Sequence, residues 1–231
     1  MPDRVKQSIF DMLASRYDTP GALPPLLVAD VFAGGGSMGL EALSRGAAFC
    51  SFFERDRQAL EALRGNIAAL GAEQVSRIIA GDAWRASMTT PTELVREGIL
   101  TPAALIFLDP PYRDCEDTTG RGEVRRFLRR IGDAPVLERL DCNQEPLSPA
   151  GGSDEPTEGR TSRPRVRRAD RVGRVREGPG GSESRVRGSQ DALLVVLHHP
   201  AGTQFVLAED DPWQVVEERR IGSNAVTFFA R

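Results

Sequence analysis

Short, nearly continuous apolar runs alternate along this chain with segments whose apolar residues recur every three or four positions. LLVADVF (26–32), AFCSFFE (48–54), VSRIIAGD (75–82) and AALIFLD (103–109) are of the first kind and predict strands. DRVKQSIFDMLASRY (3–17), SMGLEALSRG (37–46), RDRQALEALRGNIAALG (55–71) and GEVRRFLRRIG (122–132) are of the second and predict helices. On the first helix Val5, Ile9, Met12 and Leu13 share a face, and Asp3 is placed to cap it. On the last, Val124, Phe127, Leu128 and Ile131 share one. Gly46 and Gly71 stand at helix ends, DTPGALPP (18–25) breaks the chain, and a weaker helical pattern covers TELVREG (92–98). Near the C-terminus DALLVVLHH (191–199) and TQFVLAE (203–209) predict strands. WQVVEERRIGSNAVTFFAR (213–231) predicts an antiparallel hairpin turning at Gly222-Ser223-Asn224.

Strands that are apolar along their whole length are buried on both faces. Alternating with helices, they predict an α/β fold with a mostly parallel sheet covered on both sides. Between about 141 and 190 Pro, Gly, Ser, Glu and Arg dominate, and no aromatic residue stands between Phe127 and Phe205. Such a stretch buries too little apolar surface to offset its ordering entropy, so a disordered insertion is expected there. Within it Arg160–Arg187 carries 10 arginines against 3 acids, a basic block expected to be a solvated insertion, with contact to RNA phosphates as the alternative. The whole, 1–231, is expected to be a single domain interrupted by that insertion.

Composition adds limits. Apolar residues make up 40% and charged residues 27%, a soluble balance, and no apolar run approaches the ~20 residues of a membrane span. MPDRVKQSIF has no signal-peptide pattern, so the expected compartment is the cytoplasm. Cys50, Cys115 and Cys142 are far apart and the two histidines adjoin each other at 198 and 199, so neither disulfide nor metal site is expected. A net charge of −3 gives no global pull toward nucleic acid. A monomer is expected.

The turn after the first strand, ADVFAGGGSMGLEAL, spaces Gly34, Gly36 and Gly39 as G-x-G-x-x-G, and Glu54 ends the next strand about 20 residues on. Glycines let backbone approach a ligand, a helix N-terminus supplies free N–H groups, and the acid accepts from two ribose hydroxyls. That pattern suits NAD and S-adenosyl-L-methionine alike. Asp30, just before the loop, favours the second, since an acid attracts an ammonium and repels a diphosphate. Asp82 in AGDAW ends the third strand where it could accept from an adenine amino group, with the Ala83 N–H beside it.

LIFLDPPYR (105–113) runs a buried strand into two prolines, which have no N–H for a ladder. Ligands of parallel sheets bind beyond the carboxyl ends of the strands. An exocyclic amino group on a base is a poor nucleophile, because its lone pair is conjugated into the ring. The Asp109 carboxylate and the Pro110 carbonyl could hold its two N–H bonds, Pro111 would stiffen the turn, and Tyr112 offers a face for stacking. This strand is expected beside the glycine-loop strand.

Together DRVKQSIFDML, DVFAGGGSMGLEALSRGA, FFERD, Asn66, GDA and FLDPPY resemble the RsmD family, bacterial ribosomal RNA guanine-N2 methyltransferases. The resemblance covers Asp3 to about Tyr112 and returns weakly over Ala192–Arg231. It implies a class I methyltransferase, Rossmann-like fold, a seven-stranded sheet whose last strand is antiparallel, and S-adenosylmethionine as cofactor. By the match Asp30, Phe32, Gly34, Gly36, Glu54, Asp82 and Ala83 would contact the cofactor, and Asp109, Pro110, Pro111 and Tyr112 would hold the guanine amino group. Ribosomal RNA or the small ribosomal subunit would be the partner. Three departures stand out. Family members usually carry a basic hairpin segment and Arg-Pro-Thr before the first helix, whereas this chain starts Met1-Pro2-Asp3, which implies an upstream start or a missing part of the RNA grip. The loop reads AGGGSMG where AGSGALG is typical, and the 141–190 insertion is not a family feature.

Three other functions compete. DPPY also serves DNA adenine-N6 and cytosine-N4 methyltransferases, though no separate target-recognition domain is visible. An NAD-dependent oxidoreductase would need an acid–base residue in the cleft, and the His198–His199 pair is the sole histidine candidate, expected to be strand-end groups. A non-catalytic RNA-binding assembly factor would keep the fold without turnover.

Overall fold

The computed structural model describes residues 1–85, 104–116, 122–133, 193–205, 207 and 209–231. All of them fall within one compact unit. The helix expected at 92–98, the insertion at 141–190 with its arginine block, and Cys142 lie outside the described residues. The strands are β1 (Leu27–Val31), β2 (Phe49–Glu54), β3 (Ser76–Ala80), β4 (Ala104–Leu108), β5 (Leu194–Pro200), β6 (Gln214–Ile221) and β7 (Asn224–Ala230). The helices are α1 (Asp3–Tyr17), α2 (Ser37–Ser44), α3 (Arg57–Ala69) and α4 (Glu123–Asp133).

The strands form one seven-stranded sheet in the order β3-β2-β1-β4-β5-β7-β6. β1 to β5 pair in parallel, and β7 enters antiparallel between β5 and β6. As expected, β4 lies directly beside β1, with Val31 opposite Leu108. The order reverses at β1, whose two neighbours are β2 and β4, and ligands of such sheets bind beyond the strand ends at that point.

Because side chains alternate across a strand, each buried strand serves two cores. One core packs Val28, Cys50, Phe52 and Phe107 against α1, α2 and α3. The other packs Val31, Phe53, Ile106 and Leu108 against Val124, Phe127, Leu128 and Ile131 of α4. The apolar faces expected on α1 and α4 are the buried ones.

Three local expectations change. Asp3 does not cap α1: Pro2 stands at the cap without a side-chain hydrogen bond, and Asp3 is the first helical residue, where its charge suits the positive helix end. Residues 203–205 and 207, expected as strand, are not in one. Both edges of β5, the strand it follows, are already taken by β4 and β7, so this segment cannot fold back onto it as a hairpin. Its apolar residues Phe205 and Leu207 pack on the second core instead. The hairpin turn is the two residues Gly222-Ser223, with Gly222 at φ 64° and Asn224 already in β7. Among the described residues no helix is long and apolar enough to cross a membrane.

Candidate active site

The turn leaving β1 is held from four directions. Phe32 has φ 66°, a left-handed conformation uncommon for a side-chain-bearing residue and costly unless the surroundings enforce it. The Ala33 N–H donates to the Phe53 carbonyl (3.0 Å), and Gly34 N–H donates to Glu54 Oε2 (2.8 Å). Asn66 on α3 donates its amide to the Gly35 carbonyl (2.9 Å). Gly36, at φ 85°, opens α2. A Cβ there would meet Leu63 Cδ1 at 2.5 Å, so this glycine serves the packing of loop on core as well as the turn.

Glu54 at the end of β2 is the hub. Besides Gly34, its Oε1 accepts from the N–H groups of Arg55 (2.7 Å) and Asp56 (2.8 Å). Three backbone donors therefore fix the carboxylate in the wall of the cleft. Asp30 has a different position. Its parity on β1 turns it toward α2, where it is 2% exposed and its Oδ2 accepts from the Gly39 N–H (2.8 Å). Burial, with the nearby Asp109 and Glu54 carboxylates adding, pushes its pKa up to about 7 against the Gly39 bond. Asp82 engages its own turn: Oδ1 accepts from the Trp84 N–H (3.1 Å), and Oδ2 lies 3.7 Å from Arg85 Nε.

Beyond β4, Asp109, Pro110 and Pro111 lead into a short 3-10 turn, Tyr112–Cys115. Trp84 braces that turn. Its indole N–H donates to Asp114 Oδ2 (3.0 Å), while its ring packs edge-on against Phe32 (4.7 Å) and Phe127 (5.7 Å). Tyr112 is 47% exposed, and its phenol donates to Asn224 Oδ1 (2.5 Å). Burial and then the Asp109 carboxylate raise its pKa, so it stays a donor. Asp109 Oδ1 meets His198 Nδ1 at 2.7 Å, and Oδ2 lies 3.6 Å from the Met1 amine.

These groups enclose a cleft of about 430 Å³ at the carboxyl ends of the strands. Phe32, Phe53, Glu54, Gly81 and Ala83 form one side, with Arg55. Asp109, Pro110, Pro111, Tyr112 and His198 form the other, with Met1 and Pro2. The structure thus brings Phe32, Glu54, Ala83 and the Asp109–Tyr112 segment to one cavity. Asp30, Gly34, Gly36 and Asp82 are not among the residues that line it; they shape the turns around it. Sequence reasoning missed Trp84, Asn224 and the cleft position of His198. The signal for His198 was its place at the end of a strand neighbouring LDPPY, one step past the Leu108–Leu197 pair.

A parallel sheet reversing at β1, a glycine turn, an acid ending β2 and an antiparallel terminal strand define the class I methyltransferase fold. The chain belongs to the family described as Conserved hypothetical protein 95, the RsmD family, whose model matches residues 1–125. It is 38% identical over 136 residues to YlbH of Bacillus subtilis (strain 168), a protein named provisionally as an rRNA methyltransferase; the match covers 59% of this chain and 64% of that one. It is 36% identical over 115 residues to Ribosomal RNA small subunit methyltransferase D of Escherichia coli (strain K12), with 48% of each chain covered. The chain therefore spans about half to two thirds of the length of these relatives. Among solved structures, yhhF of Escherichia coli, named provisionally as a methyltransferase, matches with TM-score 0.55 at 20% identity, covering 99% of this chain and 84% of that one. This likeness bears on the fold.

Proposed function

We propose that this chain transfers a methyl group from S-adenosylmethionine to an exocyclic amino group of a base in ribosomal RNA, guanine N2 of the small-subunit RNA. The observation that carries the reading is that Glu54 and the Asp109–Tyr112 segment face one cleft at the strand-order reversal. The names of the relatives support the RNA substrate.

The donor set fits this cofactor better than a dinucleotide. Two carboxylates, Glu54 and Asp109, line the cleft with one guanidinium, Arg55, and they would repel a diphosphate while attracting a cationic sulfonium. Glu54, fixed by three N–H groups, would accept from the ribose hydroxyls; Phe32, Phe53 and Ala83 would wall the adenine. When bound, the cofactor supplies an electrophilic methyl group on sulfur. The chain's own part is positioning and electrostatics. Asp109 would accept one N–H of the base amino group. The Pro111 carbonyl is engaged by the Asp114 N–H (2.9 Å), which leaves the Pro110 carbonyl for the second. Holding both bonds favours a pyramidal nitrogen with its lone pair free to attack, and the proton leaves after transfer toward the Asp109 carboxylate. The exposed face of Tyr112 would stack on the base, worth about 1–3 kcal/mol.

Incubation with labelled S-adenosylmethionine and undermethylated small subunits or naked ribosomal RNA, followed by mapping of the modified nucleotide, tests the proposal. A methylated guanine N2 is expected. Transfer to DNA alone would replace RNA as the substrate, and absence of cofactor binding by calorimetry would overturn the reading. Asp109→Ala should abolish transfer with cofactor affinity kept within a few fold, whereas Glu54→Ala should raise the cofactor Kd.

A further inference from the structure

His198 is a cleft residue that the methyl-transfer chemistry does not call for, yet it is 2% exposed and both its ring nitrogens have partners. Nδ1 meets Asp109 Oδ1 at 2.7 Å, and Nε2 meets Asn224 Oδ1 at 3.0 Å. The same Asn224 oxygen accepts from the Tyr112 phenol, and the Tyr112 ring stands edge-on to the imidazole with centroids 5.8 Å apart. Asp109, His198, Asn224 and Tyr112 therefore form one connected chain of contacts at the acceptor half of the cleft.

We propose that His198 and Asn224 are positioning residues that set the Asp109 carboxylate and the Tyr112 ring for the acceptor base. The inference rests on the methyltransferase reading above and deepens it. A carboxylate on a strand end rotates broadly about its last torsion, since sp³–sp² torsions have no sharp wells. With Oδ1 held by His198 Nδ1, Oδ2 is the oxygen left for the acceptor, whose amino group would take the place of the Met1 amine 3.6 Å from it. A half-exposed tyrosine likewise keeps several rotamers unless its hydroxyl is held. Asn224 holds it, and either orientation of the amide completes the chain. With Oδ1 inward, it accepts from Nε2–H and the phenol. With Nδ2 inward, it donates to a neutral Nε2 and to the phenol oxygen.

The fold supplies this arrangement through its register. Leu108 pairs with Leu197, so Asp109 and His198 are the next residues on adjacent parallel strands and share a face. His198 pairs with Val226 and Pro200 with Asn224, so Asn224 is the diagonal same-face neighbour of His198 across the antiparallel pair. The reversed last strand thus contributes a side chain to the acceptor site as well as joining β6 to β5.

Two substitutions separate positioning from mere packing. In His198→Asn the amide nitrogen falls where Nδ1 stood and keeps the bond to Asp109. In His198→Gln it falls near Nε2 and loses that bond. With labelled S-adenosylmethionine and undermethylated small subunits, His198→Gln should lower kcat by about ten- to a hundredfold. Its KM and cofactor Kd should stay near wild type, and His198→Asn should restore most of the loss. Equal losses in both variants, in step with falling melting temperature, would overturn the proposal, as would wild-type kcat in His198→Gln. Nitrogen–proton NMR of the full chain gives a readout independent of turnover. A slowly exchanging His198 Nδ1–H is expected, and Asp109→Ala should abolish its protection. If that proton is absent, or unchanged by Asp109→Ala, the positioning inference fails whatever the activity. If it is present and wild type methylates nothing, the functional reading fails instead.

Discussion

Replacing Gly39 by alanine sets two opposite effects against each other, and the distances around it decide the sign. Alanine is the better helix former, by about 1 kcal/mol in a helix interior. A Cβ at position 39, however, would lie 2.4 Å from Phe52 Cε1, 2.5 Å from Cys50 Sγ and 2.9 Å from Phe52 Cζ. Carbon atoms in contact settle at about 3.5–4.0 Å, so an overlap of about 1 Å must be relieved. Neither neighbour can retreat: Phe52 and Cys50 are both 0% exposed on β2, which is paired on both sides. Overpacking of this kind costs about 1–3 kcal/mol, and here two buried partners are struck at once. The net expectation for Gly39→Ala is a loss of about 2 kcal/mol, a fall in Tm of about 4–8 °C for a chain of this size. Relief must come from α2 moving outward, which stretches the 2.8 Å bond from Gly39 N–H to Asp30 and shifts the loop that begins the helix.

Gly65 supplies the control. It is exposed in the interior of α3, and a Cβ there meets nothing within 4 Å. Gly65→Ala should therefore stabilise by about 0.5–1 kcal/mol. Urea unfolding of the two variants beside wild type, with calorimetric titration of S-adenosylmethionine, reads both consequences. The cofactor should bind more weakly to Gly39→Ala and equally well to Gly65→Ala. Shifts of the same sign, or a Gly39→Ala variant as stable as wild type, would refute the claim that close approach of α2 to β2 is what this glycine provides.

Further outcomes follow from single contacts. Asp30 keeps its proton in the folded chain up to about pH 7 but releases it near 3.8 when unfolded, so the stability it contributes is complete below about pH 4 and is lost as pH rises through about 7. Asp30→Asn should remove about 2–4 kcal/mol of that pH dependence, read from urea midpoints between pH 4 and 8; parallel profiles would refute it. Asn66→Ala should cost about 1 kcal/mol through loss of the latch on the Gly35 carbonyl, and Asn66→Asp at least as much, because a carboxylate cannot donate to a carbonyl. Asp211, with a side chain 2% exposed and bonded to Arg125 (2.7 Å) and Arg129 (3.0 Å), ties α4 to the segment before β6. Asp211→Ala should cost about 2–4 kcal/mol by denaturant melt, and an unchanged midpoint would show that the arginines re-pair without loss.

Much of the fold was readable because burial on both faces leaves an unmistakable trace: LLVADVF, CSFF and LIFL are apolar at both parities. The amphipathic helices α1 and α4 were readable for the complementary reason, that each buries a single stripe. What pattern cannot show is pairing. TQFVLAE reads like a strand through its short apolar run, but a strand needs a free ladder, and the order of the sheet leaves none beside β5. Asp30 shows the same limit at the scale of one residue. Its position before the glycine loop was legible, but the face it takes was not: the parity of β1 turns it under α2 and onto the Gly39 N–H, and it does not line the cleft.

The acceptor site divides along the same line. Asp109 through Tyr112 announce themselves because a strand that ends in two prolines needs a reason to do so, and the reason lies within four consecutive residues. His198 and Asn224 give no such notice. One is a polar residue at the end of an apolar run, the other the residue that follows a two-residue turn, and each reads locally as an ordinary strand end. They become a site only when two registers are known together: β4 with β5, which sets His198 beside Asp109, and β5 with β7, which sets Asn224 diagonal to His198. A segment of sequence carries the groups that would touch the acceptor base, while the groups that aim them are assembled by the sheet. That division explains why the local motif points to a chemistry by itself, while the contacts to Asp109 and Tyr112 come from β5 and β7.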